Sequence, residues 1–319
     1  MSFDFDAAVQ LPHRMQPGLR RLAPGAGQLT PSVVPKRGAA RHLREKLAVL
    51  WAYPTQALLC VPGFDAGPAL AALARQAADE HPPAFALQGE RWHAPWLGWA
   101  LDGDLQAQDT GTGWPEIGTL LRKLPPAWRR TALLSLAFEE DFAILDAASA
   151  GLPWLAVALP SMWAPEHKVG RSFAQVHAPV ADSRLIAGAA PQLVALVTAG
   201  ERWERFVWTL TAHPRLHAHP DRVDPARWPP GLDDDAMAAQ TWWRTERQTF
   251  LPVPGAGPGQ AVFTIRVQTT PLCRALVQPG QAARVHDALA SMSDAVLAYR
   301  GLTLARAPLL RWLARQAAA

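Results

Sequence analysis

Apolar positions along the chain fall into periodic blocks punctuated by proline and glycine. Residues 1–34 carry no such period and read as an irregular arm over the surface. From Pro35 to Trp51, Leu43, Leu47 and Leu50 share one face, which predicts a helix; Arg41, Arg44 and Lys46 are assigned to its solvated side. A second helix starts near Pro68 and runs to about Glu80. Between 81 and 115, Trp92, Trp96, Trp99 and Trp114 stand among Pro, Gly and Asp, a pattern of short strands and loops with the indoles packed inward. A helix from about Glu116 to Lys123 ends before Pro125 and Pro126.

Farther along, Phe138 and Phe142 could share a helical face. The turn-like stretch from Asp146 to Pro153, between two apolar segments, favours a hairpin instead, with Glu140 and Asp141 on its first strand. Pro191 to Gly200 reads as a buried helix, and Arg205 to Trp208 as helix or strand. Gln248 to Leu251 and Ala261 to Thr269 form an antiparallel pair across a Pro/Gly-rich loop. Val285, Leu289, Met292, Val296 and Tyr299 make one apolar stripe, and a last helix covers about Pro308 to Gln316. The expectation is an α+β fold with an antiparallel sheet and flanking helices. It spans 1–319 as one domain, with the arm at 1–34 and C-terminal helices at 280–319.

Composition narrows the function classes. The 319 residues are 49% apolar, ample for a large core, and the net charge of +4 comes without a basic run interleaved with aromatics, which argues against nucleic acid. The uncharged run from Ala147 to Pro165 is interrupted by Gly151, Pro153 and Pro160, so a membrane span is rejected. Acidic residues in MSFDFDAAVQ do not suit a signal peptide, and Cys60 and Cys273 have no CxxC context, so a reducing cytoplasm fits best.

One stretch, Leu159 to Val180, fits neither a single helix nor a central strand. Pro160 and Pro165 set an extended, turning path, Trp163 can anchor it, and Glu166, His167, Lys168 and Arg171 follow on a polar turn. His177 lies between mostly small or apolar neighbours, so its ring is expected at or below the surface; on residue type alone it is a hydrogen-bonded core histidine. Lys168 is one of only four lysines.

In chain order, these motifs resemble the haem-dependent oxidative N-demethylase family. They are Arg14 to Leu19, Glu140-Asp141, Pro160 to Trp163 with Pro165, Lys168 to Gly170, Val176 to Val180, Arg205 to Trp208, Glu246 to Thr249 and Phe263 to Arg266, spanning about residue 12 to about residue 275. The resemblance implies a PAS-like antiparallel sheet that binds haem b without covalent attachment and uses dioxygen to oxidise an N-methyl amine. It implies His177 as the axial iron ligand, Lys168, Arg171, Arg205 and Arg247 as haem-binding cations, and Asp141 and Glu246 as catalytic carboxylates. The family pattern has asparagine where Val207 stands, which implies an amine bulkier or less hydrogen-bonding than dimethylamine. No flavin, nicotinamide or iron–sulfur signature occurs, so electrons are expected from a separate reductase or electron-transfer protein.

Three rival readings stay open. His213, His217 and His219, with Asp221, have spacings that could hold zinc. Cys60 or Cys273, both set among apolar neighbours and expected to be buried, could ligate haem as a thiolate. A non-catalytic haem sensor or carrier could share the fold.

Overall fold

The computed structural model describes residues 3–111, 113–179, 181, 188–224, 228–255 and 259–318. Seven strands build the main sheet: β1 (Arg20–Arg21), β2 (Leu58–Cys60), β3 (Asp141–Asp146), β4 (Gly151–Ala156), β5 (Trp203–Thr211), β6 (Trp242–Val253) and β7 (Gln260–Pro271). Their order is β1-β5-β6-β7-β3-β4-β2, antiparallel at every pairing. The fold is α+β. Strands β3 and β4 are the expected hairpin, and β6 and β7 are the expected pair, longer at both ends than alternation alone suggested. Val180 and 256–258 of the connecting loop lie outside the described residues.

Strand β3 is buried along its whole length because it sits between β7 and β4 with both faces covered. Phe142 and Ile144 face the larger core, against Leu73 of α2 (Gly67–Glu80; α1 is Arg41–Ala52) and Leu133 and Leu134 of α4 (Pro126–Ala137; α3 is Pro115–Lys123). Ala143 and Leu145 face the opposite side, as strand alternation requires. A four-stranded meander, Ala86–Gln88, Arg91–Ala94, Trp99–Leu101 and Ala107–Asp109, adds Trp92 and Trp99 to the larger core. Trp96 and Trp114 stay half-buried.

Three expectations are corrected. Helix α4 was not foreseen, because Pro125-Pro126 reads as a terminator whereas Pro126 occupies the first turn of the next helix, where a missing N–H costs nothing. Lys46 is not on a solvated face: it is 0% exposed, and its ammonium lies 3.2 Å from Asp141. The C-terminal stripe is two helices, not one. They are α7 (Gln281–Ala290) and α8 (Asp294–Tyr299), with Ser293 capping the second through the Val296 N–H; α9 (Arg306–Ala318) follows. No helix among the described residues is long and apolar enough to cross a membrane.

Candidate haem site

The sheet face opposite the larger core bounds a cavity of about 310 Å³. Ala143, Leu145, Leu155, Phe250 and Phe263 supply an apolar floor, with the last two rings stacked 4.8 Å apart. The roof is the 159–179 stretch, with α5 (Phe173–His177), together with Leu193 and Val197 of α6 (Ala190–Thr198). Helix α6 was expected to be buried; only part of it is, and the rest is exposed.

The roof is tied down by backbone. Leu152 N–H donates to the Arg171 carbonyl at 3.1 Å, Gly170 N–H to Leu152 at 2.9 Å and Phe173 N–H to Ala150 at 2.7 Å. Gly151 is needed there, because a Cβ would stand 2.7 Å from the Arg171 carbonyl oxygen. At the other end Met162 is held at φ +63°, a strained conformation for a side-chain-bearing residue, between Ser161 and Trp163 in the cavity wall. Met162 N–H donates to Ala218 at 2.8 Å, and Arg244 locks both segments. It donates to Ser161 Oγ at 2.8 Å and to the carbonyls of Pro160 at 3.2 Å, Arg215 at 2.9 Å and Leu216 at 2.7 Å.

Helix α5 has only five residues and starts with a reciprocal Ser172–Gln175 cap. Its last residue, His177, lines the cavity. Nδ1 lies 2.8 Å from the Phe173 carbonyl, which can only accept, so Nδ1 carries the proton and Nε2 keeps its lone pair. Nε2 has no hydrogen-bonding partner among the described residues. Burial pushes the imidazole down to about 4, only partly opposed by the Phe173 bond, so the ring is neutral near pH 7.

Four cationic side chains are among the described residues lining the cavity, Lys168, Arg205, Arg244 and Arg300, against one carboxylate, Glu246. Burial lowers the pKa of all four, with Arg244 and Arg300 pushed down to about 10, so those two remain charged near neutrality. Arg300 donates to the Trp208 carbonyl at 2.9 Å, while Arg205 Nε is buried with no hydrogen-bond partner among the described residues. Glu246 accepts from Gln248 at 2.5 Å and is directly opposite Val207 in the β5–β6 register.

A family model described as haem-dependent oxidative N-demethylase, alpha subunit-like, matches residues 42–310. The chain belongs to that family. The matched span contains His177 and every charged residue of the cavity wall, whereas Met15, Pro17 and Leu19, which also line the cavity, precede it.

The residues present fit a haem. One imidazole offers a free nitrogen to a cavity with apolar floor and roof, and an unpartnered buried guanidinium nitrogen waits for an acceptor.

Of the expected site residues, His177, Lys168, Arg205 and Glu246 meet at this cavity. Three do not reach it. Arg247 is on β6 between Glu246 and Gln248, so alternation points it to the other face, where it pairs with Glu204 at 2.9 Å. Arg171 is exposed and contributes its backbone. Asp141 is 1% exposed and is held by Lys46 and by the Leu159 N–H at 2.6 Å, outside the lining.

Arg244, Arg300 and Tyr299 were missed. Arg244 is two residues before Glu246 on a strand, a spacing that puts both on one face; Arg300 and Tyr299 have no comparable signal.

The other metal candidates separate. His213 Nδ1 accepts from the Arg215 N–H at 3.2 Å, and His217 Nδ1 donates to the Ala158 carbonyl at 2.7 Å. Only His219 and Asp221 come together, joined by Glu166. There His219 Nδ1 accepts the Asp221 N–H at 3.2 Å while Nε2 meets the Glu166 carboxylate at 3.1 Å. Cys60 and Cys273 are exposed rather than buried, and neither lines the cavity.

Proposed function

We propose that the chain binds haem b in this cavity with His177 Nε2 as axial ligand and oxidises an N-methyl amine. The balanced reaction joins amine, dioxygen, two electrons and two protons to give the demethylated amine, formaldehyde and water. Haem when bound supplies the reductive activation of dioxygen. The observation that carries the reading is His177, pinned through Nδ1 and open at Nε2 over an apolar cavity ringed by cations.

Each wall residue has a part in this reading. The Phe173 carbonyl fixes the tautomer and raises the basicity of Nε2. Arg205 and Arg300 offer donors to the two propionates, which need cations when buried. Glu246, steadied by Gln248, holds the ammonium of the amine or accepts its proton. Apolar floor and roof exclude water from the reacting carbon. The antiparallel sheet, with α2 and α4 packed on one face and the ligand cavity on the other, is read as PAS-like. Electrons come from a separate reductase or electron-transfer protein in the cytoplasm.

The test begins with the colour and visible spectrum of the purified protein. His177→Ala should fold yet bind haem poorly or with an altered spectrum, while Cys60→Ser and Cys273→Ser leave the spectrum alone. Loss of the native spectrum in a cysteine variant together with its retention in His177→Ala would overturn the ligand assignment. Haem-loaded protein that yields no formaldehyde from any N-methyl amine with a competent reductase is a carrier or sensor.

A further inference from the structure

Lys168 follows the short turn Pro165–His167, and its ammonium donates to the backbone carbonyl of Val176 at 2.5 Å. That carbonyl belongs to the last turn of α5, one of the C-terminal carbonyls that a helix cannot satisfy internally. The N-terminal end of α5 has its own cap in the Ser172–Gln175 box. At the C-terminal end, Ala178 and Pro179 are exposed, and Pro179 has no N–H with which to close the turn. A cation at a helix C-terminus is favourable in itself, and this one is partly withdrawn from water, which strengthens its hold on the carbonyl.

Accepting the haem reading above, we propose that Lys168 is a positioning residue rather than a propionate partner. Its ammonium clamps the end of α5 and so aims His177 Nε2 into the cavity. Helix α5 has five residues, too few to hold their own geometry, and the ligand is the last of them. One hydrogen bond to the preceding carbonyl therefore restrains the rotation of the final turn. Arg205, whose buried Nε has no hydrogen-bond partner among the described residues, is a freer donor for a propionate than Lys168, whose ammonium is already turned to the Val176 carbonyl.

The test compares Lys168→Met and Lys168→Arg with the parent. Each is loaded with haem and, separately, with haem dimethyl ester, whose propionates carry no charge. Release of each porphyrin into excess apomyoglobin and the ferrous iron–histidine stretching band are measured. In the Met variant both porphyrins should leave about ten- to a hundredfold faster, by the same factor. The stretching band should shift or broaden, and Lys168→Arg should restore much of both. Faster release of haem alone, with the ester unaffected, would overturn the clamp in favour of a propionate contact. Unchanged release and an unchanged band in Lys168→Met would also overturn it. Retention of the native spectrum in His177→Ala would instead overturn the ligand assignment, and the clamp with it.

Discussion

Glu140 should make the protein less stable as pH rises through neutrality. Its carboxylate is 1% exposed; Oε2 accepts the Thr30 N–H at 2.9 Å and Oε1 has no partner. The nearby cations are engaged elsewhere. Lys46 lies 3.2 Å from Asp141 and gives Glu140 only a backbone contact, and Arg266 bonds Glu139 at 2.7 Å. Burial therefore pushes the carboxyl from 4.5 up to about 7. With the folded pKa above the unfolded one, the folded state holds a proton that the unfolded chain has released. This contribution to stability is complete below about pH 4.5 and is lost as pH climbs through about 7. At 1.36 kcal/mol per pKa unit the loss is about 3 kcal/mol. Glu140→Gln keeps the shape and an acceptor for Thr30 but cannot ionise. Urea denaturation followed by ellipticity from pH 5 to 8.5 should show the variant gaining on the parent by about 2.5 kcal/mol over that window, nearly all of it below about pH 7.5. Parallel curves for the two proteins would refute the argument.

Asp141→Asn strips a buried ammonium of its counter-ion and should destabilise by about 3–5 kcal/mol while leaving the haem spectrum of the folded fraction unchanged; a stable but inactive variant would return Asp141 to a catalytic role. Gly151→Ala drives a methyl against the Arg171 carbonyl and should cost about 1–3 kcal/mol in thermal or urea melts. It should also weaken haem binding, since the displaced backbone leads into α5. Val207→Asn places an amide opposite Glu246 and should shift relative kcat/KM toward smaller, more hydrogen-bonding amines by about tenfold; an unchanged substrate profile would remove Val207 from the specificity wall.

How much of this could be read in the sequence depends on the range of the forces involved. Alternation in Phe263, Ile265 and Val267 marked β7, and the turn after Asp146 marked the hairpin, because both are local patterns. The same local rule shows why Glu246 and Arg247 cannot share a site: neighbours on a strand point to opposite faces. Lys46 is three residues beyond Leu43 and four before Leu50, so helical spacing puts it at the edge of their apolar stripe. What hid its burial was the absence of any sequence signal for Asp141 as its partner, more than ninety residues away. Arg300 is the opposite case. Nothing around it announces a site, and only packing of the C-terminal helices against β5 brings it to the cavity.

The charge of the wall constrains the order in which ligands bind. Arg244 is satisfied by one hydroxyl and three carbonyls, and Arg300 donates to a carbonyl and to the Met15 thioether, so neither is paired with a carboxylate. Among the described lining residues four cationic side chains stand against one carboxylate, Glu246, so this wall is predominantly positive. Such a wall repels an alkylammonium and attracts a ligand with two carboxylates. Two propionates would bring the balance close to neutral and free Glu246 to act on a cation. In the proposed reading the amine therefore binds weakly to the apoprotein and well only after haem. Titrating both forms with the same amine by calorimetry measures the difference directly. Equal affinity for the two forms would show that the cations of the wall serve something other than the propionates.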